Sequence, residues 1–256
     1  MWHLTMATDG RVPLARTEAE VRCVVRRVVG IRGSPVLLFC VVDDHLHVVI
    51  CADRRGAGRF ANALRRSVRA ATGAPVDPAR IRPVNGRSHL LNLVRYVVEQ
   101  PAHHGLVRGD ALSWSGSCLP DLVGARELPV DLAGALQVEL PRWQIGQLLG
   151  ELGAPAVVGD VPLERVRELG AARLVAAAAA AYCAPPDLGG ERSWTRRARR
   201  ATVQVGCAAE IAPTEIAHAL RIDVDSVHRL ARRPPLDHAP GLIRRRLWLE
   251  GLGTSA

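Results

Sequence analysis

The spacing of apolar and polar residues predicts a sheet with helices in the first half of the chain. Predicted strands cover residues 2–6, 36–42, 45–51 and 81–84. Predicted helices cover residues 17–29, 57–71 and 88–100. Thr17 is expected to cap the first helix, and Pro101 to end the last. This β-α-β-β-α-β order with one added helix predicts an α+β fold, with a ferredoxin-like antiparallel sheet and helices.

The second half of the chain is predicted to be all-α. Helices are expected at 140–152 and 161–183, followed by a Pro/Gly linker at 184–190. Residues 213–230 resemble a helix-turn-helix, in which the small Ala217 lets two short helices approach closely. We therefore expect a first domain over residues 1–127, a helical connector over 128–188, and a helix-turn-helix-like DNA-binding domain over 189–256.

The charge of the last segment favours DNA binding over a purely structural role. From residue 191 onward there are twelve arginines and seven acidic residues. Arginines 244–246 and the segment 194–200 are expected near phosphates. The alternative is a helical hairpin that packs on the first domain with solvated arginines. The residues predicted to face DNA are Ser226, His228, Arg229, Arg232, Arg233, Arg196, Arg197 and Arg200.

Two histidines in a predicted strand form a candidate metal site. His45 and His47 flank Leu46, and residues two apart on a strand share a face. Both imidazoles can therefore reach one ion while Leu46 points into the core. The alternative is a pair of half-buried histidines whose hydrogen bonds are made by neighbouring groups.

A second candidate pair lies on the helix predicted at 88–100. Tyr96 and Gln100 are four residues apart, so a phenol and an amide project from one helix face. The alternative is an amphipathic core tyrosine near a solvated helix end. The other tyrosine, Tyr182, ends an alanine-rich helix and is predicted to be structural.

Together, these segments resemble the HUH-type single-tyrosine transposases, that is, the insertion-sequence-200-like group and its REP-associated tyrosine transposase relatives. The His-hydrophobic-His strand is followed by a Tyr-x-x-x-Gln helix, and residues 95–107 resemble the REP-associated pattern Arg-Tyr-Ile-His-x-Asn-Pro-Val-Arg-Ala-Gly-Leu-Val. The first strand, Trp2-His3-Leu4-Thr5-Met6, and Ser113-Trp114-Ser115-Gly116-Ser117 add to this similarity. The resemblance covers roughly residues 1–127.

This resemblance implies a site and a reaction. Tyr96 would be the nucleophile that forms a 5′-phosphotyrosine and frees a 3′-hydroxyl, and His45, His47 and Gln100 would hold a divalent ion, Mg²⁺ or Mn²⁺. Asp43 and Asp44 replace the family's Pro-Asn, and either add a carboxylate near the ion or form a turn. His103 and His104 stand where relatives carry other residues, and either contact the ion or DNA phosphate or are solvated.

Composition is compatible with a DNA partner. The formal charge is +9 and every basic residue apart from histidine is arginine, a usage that a GC-rich genome also produces. Six scattered cysteines and the lack of a visible signal peptide or membrane span indicate a reducing cytoplasm, where the protein would be nucleoid-associated.

The sequence therefore predicts a DNA transposase that nicks and rejoins single-stranded, hairpin-flanked DNA, with duplex DNA as a further partner of the C-terminal domain. One alternative is a domesticated regulator that binds hairpin DNA with little or no cleavage. Another is a metal-dependent hydrolase in which water attacks and Tyr96 is structural. Family members include monomers and homodimers, and the sequence favours neither.

Overall fold

The computed structural model describes residues 1–106, 114–152, 159–236 and 238–252. The chain divides into two compact units, the first made of Met1–Val123 with Leu128–Val157 and the second of Gly124–Glu127 with Val158–Ala256. The segment 128–188, predicted as a connector, is thus shared between the two units. Val107 and Ser113, at the ends of two segments that carry the family resemblance, lie outside the described residues.

The first unit contains a four-stranded antiparallel sheet, which confirms the predicted α+β class. Its strands are β1 (Trp2–Ala7), β2 (Val36–Val41), β3 (His45–Ile50) and β4 (Arg80–Pro83). They lie in the order β2-β3-β1-β4, so β3 pairs with both β1 and β2. Each crossover helix therefore joins two strands that are separated in the sheet by a third strand.

Several helices of this unit begin close to the residues at which the sequence predicts them. They are α1 (Glu18–Val29), α2 (Arg54–Thr72), α3 (Gly86–His103), α4 (Leu119–Leu122), α5 (Leu132–Glu139) and α6 (Arg142–Glu151). Thr17 caps α1 in a reciprocal capping box with Glu20. The predicted end of α3 at Pro101 is wrong, because a proline in the last turn removes only one helical hydrogen bond and α3 continues to His103.

The two faces of the sheet differ in chemistry. Leu4, Met6, Leu46 and Val48 alternate with the polar positions and are fully buried on one face. The other face carries His3, Thr5, His45 and His47, with Arg80 and Arg82 opposite Thr5 and His3 on β4. The polar residues of β1, β3 and β4 therefore share one surface.

The free edge of β2 is covered by the segment 114–118. Trp114 donates its indole N–H to the Val41 carbonyl at 2.8 Å, and the Gly116 carbonyl accepts from the Val41 amide at 2.9 Å. A Cβ atom on Gly116 would lie 2.3 Å from the Val41 oxygen. Only glycine fits this approach of the two backbones.

The second unit is helical in its described part. Its helices are α7 (Leu163–Ala181), α8 (Ser193–Ala208), α9 (Pro213–Leu220), α10 (Val224–Ala231) and α11 (Ala239–Leu252). Gly170 interrupts α7 with a φ of 76°, a kink that the alanine-rich composition did not predict. Leu174, Ile216 and Val227 are buried in one core that these helices share. No helix in the described ranges is long and apolar enough to cross a membrane.

Candidate functional site

A polar cleft of about 630 Å³ lies over the histidine face of the sheet. Strands β1, β3 and β4 form one wall, and α3 forms another. Arg80 and Arg82 bring two guanidinium groups to the cleft against the carboxylate of Asp77, while Arg11, also in the lining, is paired with Asp44 at 2.9 Å. The remaining lining residues are His3, Thr5, Ala7, His45, His47, Pro78, Leu93, Tyr96, Gln100 and His104. This excess of positive charge suits an anionic ligand.

The two predicted metal-binding histidines point their ring nitrogens at each other. The Nε2 atoms of His45 and His47 are 3.0 Å apart, and the rings are nearly perpendicular, at 79°. Both side chains are buried, with His47 only 2% exposed. The alternation along β3 thus brings both imidazoles to one point, as the sequence predicted.

Each of these histidines has a partner on its other ring nitrogen. Asp44 contacts Nδ1 of His45 at 2.6 Å, and His3 Nε2 lies 3.0 Å from Nδ1 of His47. Thr5 Oγ1 adds a longer contact to the same His47 nitrogen at 3.4 Å. Outer partners of this kind fix the tautomer and orientation of a metal-binding imidazole.

Burial keeps His47 and His3 neutral. Burial, together with the neighbouring His45 and His3, lowers the pKa of His47 to about 3. Burial likewise lowers the pKa of His3 to about 4, together with Arg82 and His89. Since a metal binds the neutral imidazole, His47 is in the state that coordination requires, and His3 is a neutral partner for its other ring nitrogen.

The Gln100 side chain connects α3 to the histidine pair. It is buried, and its Nε2 donates to the Tyr96 carbonyl at 3.2 Å. A second hydrogen bond joins Gln100 to His47 and favours the protonated form of that imidazole. Gln100 therefore lies beside the histidine pair and carries an amide oxygen of the kind that binds divalent ions.

Tyr96 lies over this group of side chains. Its ring meets His47 edge to face with a centroid separation of 5.3 Å, and meets His3 at 6.4 Å. The residue is 46% exposed, which contradicts the alternative of a core tyrosine. A half-exposed phenol in a basic cleft is accessible to a phosphodiester strand.

A second set of donors lies on the outer side of His45. One ligand atom from each of Asp43, Asp44, His45 and His104 falls within 4.8 Å of the others, so this set could hold a metal ion. Asp43 contacts Nδ1 of His104 at 2.9 Å. Burial acts to raise the pKa of Asp44, but hydrogen bonds from His45 and Arg11 outweigh it and lower the pKa. His103, by contrast, is exposed at the end of α3.

The inner donors have the chemistry of a site for a divalent ion. The Nε2 atoms of His45 and His47 lie 3.0 Å apart, so both can approach one ion. The side chain of Gln100 carries an amide oxygen that could serve as a third donor.

In the second unit, four of the predicted DNA-facing residues are exposed on or beside α10. His228, Arg229, Arg232 and Arg233 extend along this short helix and the turn that follows it. Ser226 contacts the capping Asp223 at 2.8 Å and accepts from Arg229 at 2.6 Å. In the turn between α9 and α10, Arg221 adopts the left-handed conformation, with a φ of 54°.

Several other residues that were predicted to contact phosphate form bonds within the second unit. Arg197 forms an ion pair with Glu127 at 3.0 Å, and Arg200 donates to the Pro234 carbonyl, whereas Arg196 is exposed on α8. Arg246 is 4% exposed and pairs with Glu250. Arginines 244 and 245 bond to Val161 and Asp160. Arginines 244–246 thus form bonds within their own unit, and the expectation that they lie near phosphates stays a prediction.

Several side chains that line the cleft were not predicted as site residues, among them His3, Arg80 and Arg82. Side chains alternate between the two faces of a strand, so His3 and Thr5, which are two residues apart, share a face, as do Arg80 and Arg82. The pairing of β1 with β3 and β4 was needed to bring them to one face.

The chain matches no protein-family model, and comparisons with curated proteins and with solved structures give no significant match. The function is therefore argued from the geometry of the two units.

Proposed function

We propose that the first unit is a metal-dependent DNA strand-transferase that nicks and rejoins single-stranded, hairpin-flanked DNA through Tyr96. The observation that carries this proposal is the contact of the half-exposed Tyr96 ring with His47, whose Nε2 lies 3.0 Å from that of His45. A candidate nucleophile, two imidazoles and the side chain of Gln100 line one cleft together with arginines.

The metal-binding residues in this proposal are His45, His47 and Gln100. Two imidazoles and one amide oxygen suit Mn²⁺, and suit Mg²⁺ when phosphate and water oxygens complete its shell. A bound divalent ion would polarise the scissile phosphate and offset the charge that develops on its oxygens.

The chain's own residues account for the remaining chemistry. Tyr96 Oη forms a bond to phosphorus while the bond from phosphorus to the 3′-oxygen breaks. The phenol loses its proton to the aqueous cleft and the 3′-oxygen gains one, so a 5′-phosphotyrosine and a free 3′-hydroxyl result. One phosphoester replaces another, so a 3′-hydroxyl reverses the step without an energy source. Arg80 and Arg82 neutralise the neighbouring phosphates.

The second unit would dock the enzyme on duplex DNA through α10. The exposed His228, Arg229, Arg232 and Arg233 support this role, and Ser226 lies at the start of the same helix. Arg196 on α8 would add a phosphate contact, whereas Arg197 and Arg200 would first have to leave their partners within the unit.

A metal-dependent hydrolase is a second candidate, favoured by the donor set of Asp43, Asp44, His45 and His104. Carboxylates are common ligands of ions that activate water. In that case Tyr96 would be structural, and cleavage would leave no covalent link between protein and DNA.

The test is adduct formation on end-labelled single-stranded oligonucleotides with hairpins, in Mn²⁺, analysed on denaturing gels. The proposal predicts a protein-linked band that disappears in Tyr96→Phe and persists in His103→Ala, a control at the exposed end of α3. Cleavage that leaves no protein-linked band, and that persists in Tyr96→Phe, would favour the hydrolase. Tight hairpin binding without cleavage would favour a regulator.

A further inference from the structure

A second cleft in the first unit lies between α3 and α6, beside the residue that precedes Tyr96. Its volume is about 310 Å³. The side chains that line it are Leu91, Asn92, Arg95, Trp143, Gln144, Gln147, Leu148 and Glu151. Arg95 and Tyr96 are consecutive on α3, so this cleft and the cleft at Tyr96 lie on neighbouring sides of one helix.

An indole and an apolar side chain provide surfaces for a flat ring. Trp143 is 66% exposed, which is uncommon for so large an apolar side chain, while Leu148 is buried. Unstacked bases of single-stranded nucleic acid bind by stacking on exposed aromatic rings. The cleft has the components of such a stacking site.

Three amides supply hydrogen bonds to the edge of a ring. Asn92, Gln144 and Gln147 all line the cleft, and Gln147 donates its amide N–H to Glu151 at 3.1 Å. Among the described residues, the buried Oε1 of Gln144 has no hydrogen-bond partner. A buried acceptor without a partner is unfavourable, and rotation of the terminal amide toward the cleft would let a ligand N–H satisfy it.

An ion pair restricts one end of the cleft. Arg95 on α3 and Glu151 on α6 join their side chains, and the same carboxylate group accepts from Gln147. Glu151 is thereby held by two partners instead of projecting freely toward an approaching phosphate. The cleft therefore has an aromatic wall, Trp143, and several amide groups, and the charge of its carboxylate, Glu151, is balanced by Arg95.

We propose that this cleft binds one unstacked nucleobase of the strand that Tyr96 attacks, with Trp143 stacking on the base and Gln144 accepting from its N–H edge. The inference rests on the proposed function for the identity of the strand. It assigns α6 a role in positioning and sequence preference, since base-edge contacts distinguish one base from another.

The experiment uses the full chain labelled with ¹⁵N and monitors its five tryptophan indole N–H signals by nuclear magnetic resonance. The Trp143 signal is identified by its loss in Trp143→Phe. Deoxyadenosine monophosphate is added up to about 20 mM, since stacking with a few hydrogen bonds predicts dissociation constants on the order of 1–10 mM. Deoxyribose 5-phosphate, which lacks the base, is the matched ligand control.

The inference predicts a saturable shift of the Trp143 signal with the nucleotide and no shift with the sugar phosphate. Gln144→Met, of similar size without the amide, should raise the dissociation constant about fivefold or more, whereas Val138→Ala, at an exposed apolar position outside the cleft, should leave it unchanged. An unmoved Trp143 signal, or equal shifts with both ligands, would overturn the inference.

These outcomes are separable from those of the adduct test. An adduct at Tyr96 with an unmoved Trp143 signal refutes the base-binding cleft and leaves strand transfer intact. A saturable Trp143 shift without an adduct on any oligonucleotide refutes strand transfer and leaves the base-binding cleft intact, because base binding does not require the phenol to react.

Discussion

His45 and His47 bring their Nε2 atoms to within 3.0 Å of each other, while Asp44 and His3 occupy the contacts of their Nδ1 atoms. One face of a single strand thus presents two oriented imidazoles at a common point. This relationship is independent of any family resemblance, because it follows from the alternation of β3 and its pairing with β1.

The first prediction separates the two possible metal sites. His47→Ala should weaken Mn²⁺ binding about tenfold or more, because His47 belongs only to the inner donor set. His104→Ala removes a member of the outer set and should have little effect. Isothermal titration of the apo protein measures both, with His103→Ala as the control for losing a histidine. If Mn²⁺ binding is lost in His104→Ala but retained in His47→Ala, the ion belongs to the outer set.

The second prediction concerns His3, which contacts Nδ1 of His47 at 3.0 Å. If His3 orients His47, His3→Ala should weaken Mn²⁺ binding about 10–100-fold without removing a ligand. His3→Gln keeps an acceptor for the His47 N–H and should restore most of the affinity. Equal affinity of the alanine variant and the natural protein in the same titration would show that His3 has no positioning role.

The third prediction concerns stability. Gly116→Ala would place Cβ 2.3 Å from the Val41 carbonyl oxygen and 2.4 Å from the Trp114 indole nitrogen. Such overpacking lowers the free energy of unfolding by about 1–3 kcal/mol. Gly58→Ala, inside α2 with no heavy atom within 4 Å of the added Cβ, should instead raise it by about 0.5–1 kcal/mol. Equilibrium urea denaturation measures both, and an unchanged midpoint in Gly116→Ala would contradict the covered β2 edge.

The fourth prediction is a pH dependence in the second unit. Burial raises the pKa of Tyr182 above its ordinary value of 10.0; Glu127 adds to this rise, and Arg197 opposes it. Because the folded state favours the neutral phenol, the stability that this group contributes is complete below about pH 10 and is lost as the pH rises toward the folded-state pKa.

The Tyr96→Phe variant isolates this titration, since Tyr182 is then the one tyrosine left. Tyrosinate absorbance should appear together with loss of helical circular dichroism as the pH is raised. Tyrosinate that forms near pH 10 in a fully helical protein would show that Tyr182 is not buried as described.

Much of the fold was predictable because its signals are local. Period-two alternation located β1 and β3, and the Thr17 capping box located the start of α1. α5 was missed because Leu132–Glu139 is one short, largely apolar run without a clear period. The kink at Gly170 was missed because composition alone does not distinguish a tolerated helical glycine from one with a positive φ.

The sequence predicted only those pairs of site residues that lie on the same strand or the same helix. His45 with His47, and Tyr96 with Gln100, are pairs on one strand and one helix, and spacing alone aligned each pair. His3, Arg80 and Arg82 join them only through strand pairing. Charge counting did not predict the bonds of Arg244, Arg245 and Arg246 within their own unit, because a count of charges does not identify their carbonyl and carboxylate partners.

The central claim is a covalent bond between Tyr96 and DNA, and mass spectrometry tests it most directly. After reaction with hairpin oligonucleotides in Mn²⁺ and digestion with nuclease and trypsin, Tyr96 and Tyr182 fall in separate peptides, since arginines lie between them. The account predicts a nucleotide phosphate mass on the peptide that contains Tyr96, and none on the Tyr182 peptide. Cleaved DNA with an unmodified Tyr96 peptide would contradict it.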